Sequence, residues 1–582
     1  MGTELQRARS RQMLLFLFVC AGMLILLGRL YYWQAIQGSH LADLANAEHI
    51  QNQIVNAPRG LIYDAQGHLL AGNVVRDDVY IEPLQFWSDH LDNTQAQSDL
   101  SLLVSQLHSV LPALSVDKLS TDFKLELQTY RIAASISPDQ SKRLRDLHLS
   151  YTFLEPHPVR IYPEGALVAQ ILGYVSADNK GFYGIEGKYD ALLAGKPGNF
   201  TAETDLNGNP LTVGASSGEP AVSGASLTLT IDSTIQYLVQ TALTNEVKRL
   251  AAQSGTVLVV NAHTGAIVAM AGTPTFDPNS YGDYATKLGC LGTESVYLNP
   301  ALYCAYEPGS TMKAVTMAAA LDQGLITPDT TITDNGTVAF KDAAPVANWE
   351  YLAYGTETMT EVLIHSANVG AAIVAHDILG ADHYYPYLAR FGFGRTTGID
   401  GPEQAGFYRT PASPDWTPTD LTRQAFGQSI LATPLQVAMA YQAIANGGVL
   451  MRPYLVASID DNSHVSPAQP QVANRVISSS AAQLLTGMLV HAADEGFAQT
   501  AIVPGYSVAA KTGTATTQGI ATDETEASVA GFLPASRPQF VILVKLDRPQ
   551  ATIYGSTAAG PLWGFIAQQL MWHYHIPPDR SS

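Results

Sequence analysis

The sequence predicts a mixed α/β (α+β) fold attached to a single transmembrane helix. An uncharged apolar run occupies residues 13–28, close to the N-terminus. Much further along, apolar strand patterns lie at both ends of residues 227–575, with amphipathic helix patterns between them. Strands at both ends of one region predict a sheet closed by both termini of one domain, with helices packed against it.

The N-terminal segment has the length and the flanks of a membrane anchor. Residues 11–33 supply the roughly 20 apolar residues that a membrane-spanning helix requires. Arginines precede this segment, so the positive-inside rule leaves residues 1–10 as a cytoplasmic tail and exports the rest of the chain. A cleaved signal peptide is the alternative, but the small-residue pattern Ala45-Asn-Ala47 lies too far beyond the apolar run. We therefore expect a single-pass protein of the cell (inner) membrane.

Composition and charge exclude some function classes. Hydrophobic residues make up 46% of the 582 residues and charged residues only 14%, so the chain can bury the cores of several domains. The net charge of −19 argues against a nucleic-acid partner, because no basic stripe is present to neutralise phosphates. The motifs H-E-x-x-H, C-x-x-C and the P-loop are absent from the sequence, and we expect no metal and no cofactor.

Residues 34–215 predict an N-terminal module that follows the anchor. Residues 34 to about 56 have the amphipathic pattern of a helix. The stretch 57–73 predicts two strands around a turn at Gly67. Residues 216–226 are rich in glycine and serine, which predicts a linker or hinge loop before the next domain.

The region 227–575 contains the clearest helix and strand patterns. Its predicted elements are a helix at 233–252, a hairpin at 256–272, a helix at 311–323, strands at 505–515 and 539–546, and a helix at 561–574. The remaining residues, 576–582, contain two adjacent prolines and few apolar side chains, and predict a disordered tail.

Three short motifs lie inside this region. In chain order they are Ser310-Thr-Met-Lys313, Ser366-Ala-Asn368 and Lys511-Thr-Gly513. Residues three apart on a helix share a face, so Lys313 can activate the Ser310 hydroxyl at the positive end of a helix. The spacing alone means little, because Ser115 and Lys118 repeat it without any partner motif. Taken singly, each residue could be a helix cap or a solvated side chain.

Taken together and in this order, the motifs match serine acyl-transferases that act on penicillin and on D-Ala-D-Ala peptides. The chain resembles a class B penicillin-binding protein, a membrane-anchored peptidoglycan D,D-transpeptidase. Further segments similar to this family are Arg59 to Ala71, where Ala65 replaces the usual arginine, "RIYPEG" at 160–165, "YGIEGKYD" at 183–190, and residues 391–400, 426–448 and 529–534. The resemblance implies a mostly antiparallel sheet flanked by helices in the transpeptidase domain, and an extended pedestal of the dimerisation type at 34–215.

The resemblance implies that Ser310 is the nucleophile and Lys313 its base. A lysine accepts a proton only when it is neutral, against a reference pKa of roughly 10.4. Burial and a second amine, for which Lys511 is the candidate, would both lower the pKa of Lys313. Lys511 itself is expected to stay charged and to face the terminal carboxylate of the peptide.

The family pattern also assigns roles to the neighbouring motif residues. Ser366 would pass a proton to the departing D-alanine, and Asn368 would hold Lys313 and the substrate amide. Thr512, Gly513 and Thr514 would bind substrate beside Lys511, and the backbone N–H groups of Ser310 and Thr514 would form an oxyanion hole.

The cysteines add one expectation. Cys20 lies in the anchor, whereas Cys290 and Cys304 lie in the exported region, where an oxidising compartment favours disulfides. A disulfide between these two would close the loop that precedes Ser310 and shape the entrance to the site. Two buried thiols are the alternative.

The implied function is cross-linking of peptidoglycan stem peptides through an acyl-enzyme, inhibited by β-lactams, in cell division or elongation. The implied partners are stem peptides, β-lactams, a membrane glycan polymerase of the SEDS type and other division or elongation proteins. A serine β-lactamase or D,D-carboxypeptidase of the same superfamily and a catalytically idle cell-wall scaffold are the alternatives. A class A β-lactamase needs a deacylating glutamate downstream of Ser366. The closest lookalike, Glu294, lies upstream of Ser310.

Overall fold

The chain folds into two compact units, and the computed structural model describes residues 2–41, 50–90, 92–203, 216–516 and 524–580. The first unit comprises Met1–Pro58 and Gly195–Ser223, and the second comprises Arg59–Ala194 and Gly224–Ser582. The second unit therefore joins most of the N-terminal module to the whole of the C-terminal region.

The first unit contains the predicted anchor. An α-helix spans Gly2–Tyr31 and continues as a π-helical turn over Tyr32–Ile36. Within it, Arg9–Ile36 is long and apolar enough to cross a membrane, and no other helix among the described residues meets this test.

A three-stranded antiparallel sheet completes the first unit. Its strands are Ile50–Val55, Gly198–Glu203 and Ser216–Glu219, with Gly198–Glu203 in the centre. Two sequence predictions are wrong here: the helix expected over 34–56 is a strand at its C-terminal end, and part of the expected linker loop is also a strand. In both places pairing with Gly198–Glu203 satisfies the backbone N–H and C=O groups, which local periodicity does not reveal. Residues 42–49 of the expected helix lie outside the described residues.

A five-stranded antiparallel sheet forms the centre of the second unit. The strand order is Ile267–Thr273, Ser254–Asn261, Phe540–Asp547, Thr525–Leu533 and Ala509–Thr516. Alternate residues of these strands enter two different apolar clusters, so both faces of the sheet are covered. Helices Ser233–Arg249 and Gly560–His573 cover one face. Helices Lys313–Asp322, Pro434–Ala445 and Ser479–Asp494 belong to the cluster on the other. The predicted antiparallel sheet flanked by helices is confirmed.

A second, seven-stranded sheet joins residues 59–194 to the C-terminal region. Its strand order is Val465–Pro467, Val456–Asp460, Ser226–Leu229, Ile62–Tyr63, Leu69–Ile81 and Tyr130–Ile136, and Thr152–Ile161 also pairs with Leu69–Ile81. Two-stranded ladders pair Thr331–Asp334 with Gly355–Thr358, Thr337–Val338 with Val346–Ala347, Phe407–Tyr408 with Ile430–Leu431, Val449–Met451 with Val472–Arg475, and Tyr174–Val175 with Gly181–Phe182.

Further helices complete the second unit. The α-helices are Pro83–Asp89, Asn93–Val110, Val116–Asp122, Pro138–Leu147, Ala169–Leu172, Gly184–Lys188, Asp190–Leu193, Pro300–Tyr303, Met359–Ile364, Asn368–Ile373, Gly380–Arg390, Pro418–Gln424 and Gly555–Ala558. The first four surround a separate apolar cluster. Ser115 caps the third of them by accepting a hydrogen bond from Lys118 N, so this lookalike motif has a structural role.

The C-terminal tail is ordered as far as Arg580, so the predicted disorder from residue 576 is wrong. The Ile576 carbonyl accepts a hydrogen bond of 2.6 Å from the Tyr506 hydroxyl. Asp579 Oδ1 accepts one of 2.7 Å from Ser507 N, and Arg580 donates to Asp494 at 2.7 and 2.9 Å. These bonds between residues distant in sequence hold the tail, and residues 581–582 lie outside the described residues.

A buried ionic cluster connects three of the family-like segments. Arg59 Nη2 lies 2.8 Å from Glu186 Oε2, and Arg160 Nε donates to Glu186 Oε1 at 2.7 Å. The side chains of Arg59, Glu186 and Arg160 are 2%, 0% and 3% exposed. Arg160 Nη1 also donates to the Gly60 carbonyl at 2.7 Å. One carboxylate between two guanidinium groups thus holds "RGLIYD", "RIYPEG" and "YGIEGKYD" together.

Glu186→Ala should lower the free energy of unfolding by about 3–5 kcal/mol, because it leaves the buried Arg160 guanidinium without a carboxylate and Arg59 with only the partly exposed Asp190. Denaturant unfolding of the detergent-solubilised protein would measure the change. Arg249→Ala, which breaks a surface ion pair with Glu246 at 2.6 Å, is the control and should cost less than about 1 kcal/mol. A Glu186→Ala protein as stable as the control would contradict the prediction.

Candidate active site

The three motifs meet at one cavity of about 520 Å³ in the second unit. The first lies on a 3₁₀ turn, Gly309–Met312, that leads into helix Lys313–Asp322. The second lies between helices Met359–Ile364 and Asn368–Ile373, and the third on the edge strand Ala509–Thr516. The predicted site residues that line the cavity are Ser310, Ser366, Asn368, Thr512 and Thr514. Lys313 and Lys511 are buried and reach the same place with their amines.

Glycines allow the 3₁₀ turn Gly309–Met312, which carries Ser310, to pack directly on the edge strand. Gly309 has a left-handed φ of +58°, and a Cβ added there would lie 3.1 Å from the Thr514 carbonyl oxygen. A Cβ at Gly513 would lie 2.7 Å from the Pro308 carbonyl oxygen, closer than a side chain tolerates. Gly513 therefore permits the close approach of strand and turn that sets Ser310 beside Thr514.

The amine of Lys313 is fully buried and is held by the Ser366-x-Asn368 motif. Lys313 Nζ donates to Asn368 Oδ1 at 2.8 Å, to Ser366 Oγ at 3.3 Å and to the Ser366 carbonyl. Burial, with a further contribution from the charge of Lys511, lowers the pKa of Lys313 well below its usual value. A neutral amine is the form that a base requires.

The amine of Lys511 contacts the same serine. Lys511 Nζ donates to Ser366 Oγ at 2.9 Å and to the Thr512 carbonyl at 3.4 Å. Burial lowers the pKa of Lys511 to about 7. At neutral pH this amine is therefore only partly charged, whereas full charge was expected from the family pattern.

The hydroxyl of Ser310 does not contact Lys313 in the way that the motif spacing suggests. Among the described residues, no hydrogen bond joins Ser310 Oγ to Lys313 Nζ, whose donors point to Ser366 and Asn368. Catalytic hydrogen bonds are often long before substrate binds and tighten in the reacting complex. Both side chains nevertheless converge on one site.

Several residues at the cavity were not identified from the sequence. They include Asn348, Trp349, Tyr354, His365, Phe497 and Tyr554. Trp349 and Tyr554 meet edge to face with ring centroids 5.9 Å apart. His365 directly precedes Ser366, and this adjacency was the one sequence feature that could have placed His365 at the cavity. The aromatic residues come from distant loops and carried no motif.

Cys290 and Cys304 form a disulfide with a Cα–Cα distance of 6.3 Å, which confirms the predicted pairing. The disulfide precedes the 3₁₀ turn Gly309–Met312, but neither cysteine lines the cavity of the three motifs. Its effect on the entrance to the site stays a prediction.

Two family models match most of the chain. The model "Penicillin binding protein transpeptidase domain" matches residues 255–571, and the model "Penicillin-binding Protein dimerisation domain" matches residues 54–229. The first covers more than half of the chain and contains all three motifs.

Curated relatives and solved structures agree with these matches. The chain is 29% identical over 583 residues to Stage V sporulation protein D of Bacillus subtilis (strain 168), covering 99% of this chain and 87% of the relative. It is 28% identical to the peptidoglycan D,D-transpeptidase FtsI of Escherichia coli (strain K12), covering 97% and 93%.

Among solved structures, a peptidoglycan synthetase from Bifidobacterium adolescentis superimposes with a TM-score of 0.70 at 26% identity, over 92% of this chain and 98% of that one. Penicillin-binding protein 3 from Mycobacterium tuberculosis, complexed with aztreonam, gives 0.67 at 26% identity, over 91% and 98%. The family models, the full-length relatives and the shared fold together show that the chain belongs to the class B penicillin-binding proteins.

Proposed function

We propose that the chain is a peptidoglycan D,D-transpeptidase that cross-links stem peptides in cell division or elongation and is inhibited by β-lactams. The observation that carries the proposal is the convergence of two buried amines on the Ser366 hydroxyl, at the cavity that Ser310 lines. Relatives of nearly full length bear the name peptidoglycan D,D-transpeptidase, which supports the same reaction.

In the proposed acylation, neutral Lys313 takes the Ser310 proton while Oγ attacks the carbonyl carbon between the two D-alanines. Backbone N–H groups of Ser310 and Thr514 stabilise the oxyanion, an effect of roughly 3–4 kcal/mol per donor. The C–N bond then breaks, and Ser366 passes a proton to the departing D-alanine amine. Attack of a second stem peptide's amine on the ester forms the cross-link and frees Ser310.

Lys511 is the proposed binding group for the terminal carboxylate, with Thr512, Gly513 and Thr514 beside it. Its pKa of about 7 leaves the amine only partly charged at neutral pH. A bound carboxylate favours the charged form and raises this pKa, so substrate completes the charge on Lys511. Asn368, which accepts a hydrogen bond from Lys313, is placed to orient both the base and the substrate amide.

The anchor and the partners belong to the same proposal. The helix Arg9–Ile36 would place residues 1–10 in the cytoplasm and the active site outside the inner membrane, as the flanking arginines predict. We place the pedestal at 34–215 and the transpeptidase domain at 227–575, with residues 216–226 connecting them. A membrane glycan polymerase of the SEDS type is the proposed partner, as the resemblance to class B penicillin-binding proteins implies.

A fluorescent penicillin should label Ser310 and no other serine, because a β-lactam presents the same reactive amide and carboxylate as the peptide. Mass spectrometry of the peptide "EPGSTMK" would locate the adduct. Ser310→Ala should abolish labelling. An adduct on Ser366, or no adduct at all, would exclude the mechanism. In a separate assay with stem peptides, hydrolysis without cross-linking would instead indicate a D,D-carboxypeptidase.

Lys313→Arg should reduce acylation by about a hundredfold or more at any accessible pH, because a guanidinium group cannot act as a base. Lys511→Arg keeps a cation next to the substrate carboxylate and should cause a much smaller loss. The second-order acylation rate constant of each folded variant with fluorescent penicillin is the measurement. Equal losses would mean that the roles of the two lysines are wrongly assigned.

A further inference from the structure

A buried acidic group lies behind the Ser366-x-Asn368 motif. Glu357 and Asp334 come from the paired strands Gly355–Thr358 and Thr331–Asp334, and they are 1% and 0% exposed. Glu357 Oε2 lies 3.1 Å from His365 Nδ1. Glu357 Oε1 is buried and accepts no hydrogen bond from the described residues. A buried carboxyl with one oxygen on an imidazole and a second carboxyl, Asp334, beside it is costly to bury and invites a functional explanation.

The imidazole of His365 is held from two directions. Its ring stacks on Tyr354 with centroids 4.3 Å apart and an interplanar angle of 10°. Glu357 fixes the ring edge through Nδ1, and the backbone N–H of His365 donates to the Glu361 carbonyl at 2.8 Å. The orientation of His365 is therefore determined by side chain and backbone together.

The next residue, Ser366, has an unusual backbone. Its φ is +57°, in the left-handed region that residues with a Cβ rarely adopt. This conformation presents both the Ser366 hydroxyl and its carbonyl to Lys313, and the hydroxyl also to Lys511. Such a conformation persists only when neighbouring groups hold it in place.

We infer that Glu357 and His365 form a positioning pair that holds Ser366 in its left-handed conformation against the two catalytic lysines. The inference rests on the proposed function, because its readout is acylation of Ser310. The pair acts through the backbone that His365 and Ser366 share. His365 is thus a positioning residue, and Glu357 acts on catalysis through it.

The protonation of Glu357 makes the inference testable by pH. Burial raises the pKa of Glu357 to about 7; Asp334 adds to the rise and the contact with His365 opposes it. The other titratable groups whose charge interacts with Glu357 are Tyr354 and Lys313, and Lys511 lies beyond Lys313. Above about pH 7 the carboxylate is ionised and holds the imidazole. Below that pH the Glu357 carboxyl gains a proton, and its hydrogen bond with His365 Nδ1 weakens.

The test is a double-mutant cycle of His365→Ala and Glu357→Gln in the full-length protein in detergent. His365→Ala should slow acylation by fluorescent penicillin by about tenfold to a hundredfold, as small misplacements of catalytic groups do. The loss should fall on the acylation rate constant rather than on the noncovalent binding constant. His365→Asn, whose amide N–H reaches the position of Nδ1, should recover part of the rate.

The cycle separates positioning from a direct charge effect. If Glu357 acts through His365, Glu357→Gln slows the wild type but adds nothing in the His365→Ala background. Any direct effect of the Glu357 charge on Lys313 persists in that background and cancels from the cycle. The coupling should be largest at about pH 8 and fade towards pH 6, as Glu357 is protonated.

His376→Ala is the matched control. Its imidazole also contacts carboxylates, Asp377 at 2.6 Å and Asp342 at 2.9 Å, but it does not line the cavity. This variant should acylate at the wild-type rate. Three results would each overturn the positioning pair. They are additive losses from the two substitutions, a coupling that does not change with pH, and a His365→Ala protein that acylates at the wild-type rate. A wild-type protein that penicillin does not acylate would refute the proposed function instead.

Discussion

The site depends on burying two lysine amines within reach of one serine hydroxyl. Lys313 and Lys511 both donate to Ser366 Oγ, at 3.3 and 2.9 Å. Among the described residues neither amine forms an ion pair, so the hydrogen bonds that they donate to Ser366, Asn368 and backbone carbonyls replace the lost water. Burying an amine without a counter-ion destabilises its charged form, and this penalty favours the neutral form that Lys313 needs for its proposed role as the base.

Three separate parts of the fold must be rigid for this arrangement to persist. Lys313 begins a helix packed inside the larger apolar cluster, whereas Lys511 extends from the edge strand of the central sheet. Ser366 comes from a strained link between two short helices. Since the close-packed core around each element deforms little, the sheet and the helices fix the three donors and acceptors relative to one another. Gly513 then allows the 3₁₀ turn that carries Ser310 to pack directly against the edge strand that carries Lys511.

The sequence predicted the site residues better than the elements at the edges of the fold. Motif order identified Ser310, Lys313 and Lys511, which meet at the cavity, because the proposed nucleophile, base and carboxylate-binding group are each encoded within a short segment. The strand Ile50–Val55 and the ordered tail to Arg580 were missed, since both depend on partners distant in sequence. The contact of Glu357 with His365 was missed although the two are only eight residues apart, because neither belongs to a motif.

Charge on the two lysines could not be read from residue types at all. The proposed reaction needs a neutral Lys313 and a charged Lys511 in one buried site, and burial alone pushes both towards the neutral form. A substrate carboxylate next to Lys511 resolves the conflict, because it raises the pKa of that amine. A fully charged Lys511 then lowers the pKa of Lys313 further, since its charge already contributes to that shift. In the proposed mechanism the carboxylate therefore completes the charge on Lys511, while burial keeps Lys313 towards the neutral form that a base requires.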